Sequence, residues 1–147
     1  MNTKILARLQ RLCIRRECCS QDILRKAQDL LEGDEQAARE MLDSLIADRF
    51  VDDARYAAAF AREKSAIAGW GPHKIRHALA AKGIRECAEA MAEVDEEASE
   101  ARLRKSLEVK WRSVAPDKLK LIRFALSRGY DYDTVRPLIE EITAQNR

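Results

Sequence analysis

Glycine and proline are scarce, five and three residues in a chain of 147. A β-sandwich or barrel needs turn chemistry every ten residues or so, and this chain cannot supply it. No apolar run approaches the roughly 18 residues of a membrane span, and the N-terminus lacks the apolar core of a signal peptide, so a cytoplasmic chain without membrane contact is expected. The four cysteines, Cys13, Cys18, Cys19 and Cys87, lack the paired C-x-x-C spacing of a zinc ribbon. In a reducing compartment they are expected to be buried free thiols rather than a disulfide framework. There is no Walker loop, no Rossmann glycine pattern and no G-x-S-x-G. The two histidines, His73 and His77, sit at i and i+4 as helical zinc ligands do, but Lys-Ile-Arg between them is not a metalloprotease motif. On a helical wheel they fall opposite Ile75, on the solvent side. The acidic residues of 86–100 lack the ordered spacing of a calcium loop. Neither an enzyme nor a metal or cofactor binder is expected.

What is present is 46% hydrophobic and 35% charged residues, dominated by Ala, Leu, Glu, Lys, Arg and Gln. That composition belongs to surface-rich helices around a modest core, and an all-α fold follows. The net charge of +2 conceals alternating blocks. Residues 1–16 carry five cations and no acid, 17–61 come to −6, 62–85 to +5, 86–101 to −7, 102–128 to +7, and 129–147 to −2. Such blocks create local positive fields without general stickiness. They are either solvated helix faces paired with their neighbours or stripes aimed at a polyanion or an acidic partner.

Helix punctuation is plain. Ile5, Leu6, Leu9, Leu12 and Cys13 form one stripe of a first helix. Ser20 is expected to cap a second helix through Leu24, Ala27, Leu30 and Leu31, with Gly33 at its left-handed end and Asp34 capping a third. The third carries Ala37, Ala38, Met41, Leu42, Leu45 and Ile46, after which Phe50-Val51 pack and Asp52-Asp53 open a fourth. The fourth holds Tyr56, Ala57, Phe60 and Ile67 and stops at Gly69-Trp70-Gly71. Pro72 suits the first position of a fifth helix, through Ile75 and Leu79 to Lys82-Gly83. A sixth is expected over about 85–94, and a seventh carries Leu103, Leu107 and Trp111. An eighth opens at Pro116, with Leu119, Ile122, Ala125 and Leu126 as its core face, and ends at Arg128-Gly129. A ninth covers about 133–143, where Pro137 is expected to shorten or kink the first turn. Segments 78–84 and 124–130 align at an offset of 46, each a helix ending in a basic residue, Gly and a large apolar residue. Three tandem three-helix repeats are therefore expected, at 1–51, 52–95 and 96–147. Phe50, Tyr56, Phe60 and Leu79 are read as core, Trp70 as a plug between repeats or a stacking platform, and Gly83 and Gly129 as turn glycines.

Arg8, Arg11 and Arg15 share with Lys4 an arc of about 60° on the first helix at 100° per residue. Like charges so spaced repel by a few tenths of a kcal/mol per pair, so either an acidic block lies over them or they meet a partner. In the eighth helix Lys120, Arg123 and Arg128 surround Phe124, a weak signal for single-stranded nucleic acid. Two classes remain: a modulator that docks along a larger protein–nucleic acid assembly, and a helix-turn-helix-like protein acting directly on DNA. A specific reader concentrates base-contacting residues on one helix, whereas here the cations are spread over all three units.

Phe50-Val51-Asp52-Asp53-Ala54-Arg55-Tyr56-Ala57, followed by Gly69-Trp70-Gly71-Pro72-His73-Lys74-Ile75-Arg76 and Leu79 through Lys82-Gly83-Ile84, resembles the RecX family, bacterial regulators of the RecA recombinase. Arg123-Phe124 and Arg128-Gly129-Tyr130 are similar to the pattern of that family's third repeat. The chain departs from it at Cys19-Ser20 and Ile23-Leu24, at Ala78 and at Pro137. The resemblance implies an elongated, curved array of three repeats that lies in the groove of the RecA–DNA filament. It further implies inhibition of ATP hydrolysis, strand exchange and co-protease activity, by blocking extension or promoting disassembly, together with weak, non-specific DNA binding. A monomer is expected. The residues expected to meet RecA or phosphate are Arg8, Arg11, Arg15, Arg55, Lys74, Arg76, Lys82, Lys120, Arg123 and Arg128. Phe50, Tyr56, Phe60, Trp70, Pro72, Ile75, Leu79, Gly83 and Gly129 are expected to be structural.

Overall fold

A computed structural model describes residues 1–113 and 117–145. The described residues form nine helices and no strand: α1 (Thr3–Arg15), α2 (Ser20–Leu30), α3 (Glu35–Ala47), α4 (Asp53–Ala66), α5 (Pro72–Ala81), α6 (Ala88–Ala92), α7 (Glu96–Ser113), α8 (Lys118–Ser127) and α9 (Tyr132–Gln145). Their starts are set by short polar side chains that take up otherwise unpaired backbone N–H groups. Asn2 accepts from Ile5 N at 3.1 Å, Asp34 from Ala37 N at 3.1 Å, Asp52 from Arg55 N at 3.0 Å and Asp95 from Ala98 N at 3.1 Å. Three ends are set by glycine: Gly33, Gly83 and Gly129 follow α2, α5 and α8 at φ of +84°, +80° and +92°, a region that a Cβ disfavours.

The buried residues fall into three clusters. The first gathers Leu9, Ile23, Met41, Leu45 and Val51; the second Ala57, Ala61, Ile75, Leu79 and Ile84; the third Leu103, Leu107, Leu121, Val135 and Ile142. Helix packing is extensive within α1–α3, within α4–α6 and within α7–α9. The accessible surface of 9467 Å² for 16.8 kDa exceeds the roughly 7,600 Å² of a compact monomer of that mass. The excess reflects an elongated molecule with three small cores in place of one large one.

Several elements differ from the sequence reading. Helix α6 spans five residues, because 84–87 run as a non-helical connection into Cys87. The buried face of α8 is Leu121 and Ala125, while Leu119 and Leu126 are 51% and 43% exposed. At 100° per residue Lys120, Arg123 and Ser127 share a polar arc of about 60°, opposite Leu121 and Ala125, so the core face is the middle of the apolar arc and Leu119 and Leu126 lie at its edge. The expected start at Pro116 lies outside the described residues; Asp117 caps the helix by accepting from Leu119 N and Lys120 N. Pro137 lies within a continuous α9, which begins at Tyr132. Ile67, placed among the apolar residues of α4, is 82% exposed. Finally, Ser20 is not the cap of α2. The residue at the cap position is Cys19, to which no capping side-chain hydrogen bond is assigned, and the N–H of Ser20 donates to Asp53 Oδ1 at 2.7 Å.

Candidate docking surface

The last contact belongs to a junction that decides which cations are available. Cys18 is buried in the first core and the adjacent Cys19 in the second, so this dipeptide links the two. Around it, Gln21 Nε2 donates to Ala81 O at 3.2 Å and Lys82 Nζ to Asp22 Oδ2 at 2.9 Å. Burial raises the Asp22 carboxyl, but the hydrogen bond and charge of Lys82 outweigh it and hold the group below its ordinary value. The same bond raises the Lys82 ammonium. Arg55 donates from Nε to Glu17 at 2.6 Å, from Nη1 to Arg49 O at 3.1 Å and from Nη2 to Phe50 O at 3.3 Å. Arg49 stands at φ +62°, so the Arg55 fork closes a turn that is itself strained. Two of the ten expected contact residues, Arg55 and Lys82, are therefore engaged within the molecule.

The second junction repeats the first with backbone in place of side chains. The N-terminus of α5 meets the α8–α9 turn: Gly71 N–H donates to Arg128 O at 2.6 Å and His73 N–H to Gly129 O at 3.0 Å. A Cβ on Gly71 would lie 2.5 Å from the Gly129 carbonyl, and one on Gly129 would lie 2.6 Å from Lys74 N. The Gly-Trp-Gly-Pro segment and the Arg-Gly-Tyr segment are thus two halves of one contact. In both junctions the first turn of a second helix rests on the turn between the second and third helices of the next trio.

Trp70 packs against the second core, edge-on to Phe60 at 6.1 Å, with Lys64 Nζ and Lys74 Nζ 4.9 Å and 4.5 Å from its ring centroid. A tryptophan so occupied is a packing element and not an open platform for a base. Leu79 and Ile75 are fully buried, whereas Phe50, Tyr56 and Phe60 are half-buried against their cores. Both histidines are exposed, with His73 Nε2 3.7 Å from Asp131 Oδ1.

Six of the expected cations have neither an ion pair nor a ring contact among the described residues. Arg8, Arg11 and Arg15 on α1, Arg76 on α5, and Lys120 and Arg123 on α8 are exposed, and none of the ion pairs among the described residues involves them. The acidic stretch that follows α1 does not cover its stripe. Lys74, half-buried, and Arg128, exposed, each lie against an aromatic ring, with the Arg128 guanidinium 5.1 Å from the Phe124 centroid and its Nη1 donating to Ala68 O at 3.3 Å. Sequence reasoning missed a further group on α7, where Arg102, Lys105 and Lys110 lie near Arg128. The +7 block at 102–128 signals it, but α7 shows no single cationic stripe to the eye. Among the described residues no cluster of three or more metal-ligating side chains occurs, and no helix is long and apolar enough to cross a membrane.

Comparison with known proteins agrees with this architecture. The family described as RecX, second three-helix domain, matches residues 52–89. A regulatory protein RecX of Cronobacter sakazakii is 30% identical over 92% of this chain and 90% of its own length. That of Shewanella oneidensis is 34% identical over 65% of this chain and 89% of its own. Among solved structures, a RecX from Lactobacillus salivarius superposes with a TM-score of 0.78 at 19% identity, over 97% of this chain and 99% of that one. Another regulatory protein RecX gives 0.79 at 21% identity, over 94% of this chain and 71% of that one.

Proposed function

The chain belongs to the RecX family of regulatory proteins, and on that premise we propose that it is a negative modulator of the RecA recombinase. It lies along the groove of the RecA–DNA filament and lowers ATP hydrolysis, strand exchange and co-protease activity by blocking extension or promoting disassembly. The observation that carries this reading is the set of exposed cations on α1, α5 and α8 that have no ion-pair partner among the described residues. An assembly of repeating protomers offers acidic surface and phosphate at regular intervals. An elongated array with one cationic patch per trio fits that pattern better than it fits a single DNA site.

In this reading the division is 1–51, 52–95 and 96–147, the protein works as a cytoplasmic monomer without a catalytic centre, and bare DNA is bound weakly and without sequence preference. Charge complementarity speeds the encounter more than it sets the final affinity. Arg8, Arg11, Arg15, Arg76, Lys120 and Arg123 make the principal contacts and Lys74 and Arg128 the secondary ones. Arg55 and Lys82 hold the array together.

The test is RecA's ATP hydrolysis on single-stranded DNA, titrated with this protein at fixed DNA. Inhibition at ratios well below one per RecA is expected. No inhibition, together with tight, steeply salt-dependent binding to naked duplex, would replace this reading with direct action on DNA.

A further inference from the structure

Where the end of α4 meets α7 and α8 lies an open cleft of about 610 Å³. Among the described residues, four of its lining side chains are cationic, Arg102, Lys105, Lys110 and Arg128, and no carboxylate lines it. None of these four takes part in the ion pairs among the described residues. On α7, Arg102, Lys105 and Val109 follow one another at i, i+3 and i+7, on one side of the helix, while Leu103 and Leu107 turn to the core.

Two features make the cleft more than a solvated basic face. Its walls carry Ile67 and Val109, which are 82% and 60% exposed, so aliphatic surface stands open between cations. In addition, Arg102 Nε is buried without a hydrogen-bond partner among the described residues, although Nη2 donates to Ser65 Oγ at 3.4 Å. A buried donor on a charged group is rarely left unpaired, because its desolvation is then uncompensated.

We propose that this cleft binds an acidic peptide segment that carries an apolar side chain, its carboxylates meeting the four cations and its apolar residue covering Ile67 and Val109. A nucleic acid strand fits less well. Base stacking needs an open aromatic face, and the one aromatic ring in the cleft among the described residues, Phe124, has Lys110 Nζ and the Arg128 guanidinium 5.6 Å and 5.1 Å from its centroid. A phosphodiester backbone would also leave the two aliphatic side chains in water. The inference is a property of the cleft and holds whichever protein carries the segment.

The probe is a fluorescein-labelled peptide of ten residues, Asp and Glu with one central Leu, titrated with the full chain and followed by anisotropy. Saturable binding is expected, weakened about tenfold or more by Lys105→Glu with Lys110→Glu, and about tenfold by Ile67→Ser with Val109→Ser. Replacing the peptide's Leu by Ser should weaken it by a similar factor. Arg8→Glu with Arg11→Glu, on the far trio, should leave the affinity within twofold. These side chains lie at the surface, and circular dichroism of each variant checks that its helices persist. The proposal is overturned by absence of saturable binding, by equal loss in the α1 variant, or by affinity that ignores both the Leu and the aliphatic pair. It is also overturned if oligo-dT displaces the peptide and its own binding falls in the Ile67–Val109 variant. Loss of RecA inhibition in the wild-type chain would bear on the proposed function and leave this titration to judge the cleft.

Discussion

Alanine at four glycines separates the strain of a turn from the contact between trios. At Gly33, φ is +84° and nothing lies within 4 Å of an added Cβ, so Ala there meets only the left-handed penalty, about 1 kcal/mol. Gly129 has the same conformation, with φ +92°, but its Cβ would lie 2.6 Å from Lys74 N, which is backbone and cannot step aside. Relief of that clash moves α5 off the α8–α9 turn and breaks the two hydrogen bonds from Gly71 N–H and His73 N–H. At about 1 kcal/mol each, the total for Gly129→Ala is about 3 kcal/mol. Gly71→Ala isolates the contact, because its φ of −81° suits any residue while its Cβ would lie 2.5 Å from the Gly129 carbonyl; about 2 kcal/mol is expected. At Gly83 the nearest atom is the Oε1 end of Gln21 at 2.8 Å, which can rotate away, so the cost returns to about 1 kcal/mol. Urea denaturation of the four variants, followed by circular dichroism at 222 nm, measures the order. In Gly71→Ala and Gly129→Ala the third core should also unfold at lower urea than the first two, since a linear array is coupled through its interfaces. Four equal losses, or a smaller loss for Gly71→Ala than for Gly33→Ala, would refute the reasoning.

Further outcomes follow from the junctions and the thiols. Arg55→Ala should cost about 1–2 kcal/mol of stability through its three lost hydrogen bonds and leave filament affinity unchanged in the fraction that is folded, as a joint denaturation and co-sedimentation series would show. The Asp22 carboxyl is held below 3.8 by Lys82, so its contribution is intact above that value and is lost as pH falls through the lower folded value. Comparing wild type with Lys82→Met between pH 2.5 and 7 should show a gap in stability that closes at the acid end. Burial pushes the Cys13 thiol up to about 12, so the fold favours the neutral form, and stability should drop as pH rises from 9 towards 12. In native protein at pH 8 an aromatic disulfide reagent should react slowly with all four cysteines and rapidly after unfolding. Lys74→Glu with Arg76→Glu should weaken filament binding while helicity persists.

The helix ends and the family pattern were legible in the sequence because both are local. Gly33, Gly83 and Gly129 mark turns through their own backbone freedom, and Asp34 and Asp52 mark starts through contacts three residues away. The phase of α8 was also present locally, in Lys120, Arg123 and Ser127 opposite Leu121 and Ala125, but the wide apolar arc of this helix let its edge, Leu119 and Leu126, pass for the core face. The cap of α2 was hidden for a different reason: its acceptor, Asp53, is 33 residues away. Contacts remote in sequence likewise separate the unpaired cations from the paired ones. Arg55 and Lys82 look like Arg76 and Arg123 in a charge count, and only Glu17 and Asp22, 38 and 60 residues away, distinguish them. The cleft at α7 needed three elements brought together, and no single stretch announces it.

The most direct measurement of the central claim is the affinity of this protein for preformed RecA filaments on single-stranded DNA, with charge reversed one trio at a time. The three variants are Arg8→Glu with Arg11→Glu, Arg76→Glu, and Lys120→Glu with Arg123→Glu. Distributed docking predicts that each weakens binding several-fold, that their effects multiply when combined, and that the salt dependence shrinks with each. Affinity that survives all three reversals, or that vanishes with one and ignores the other two, would contradict it.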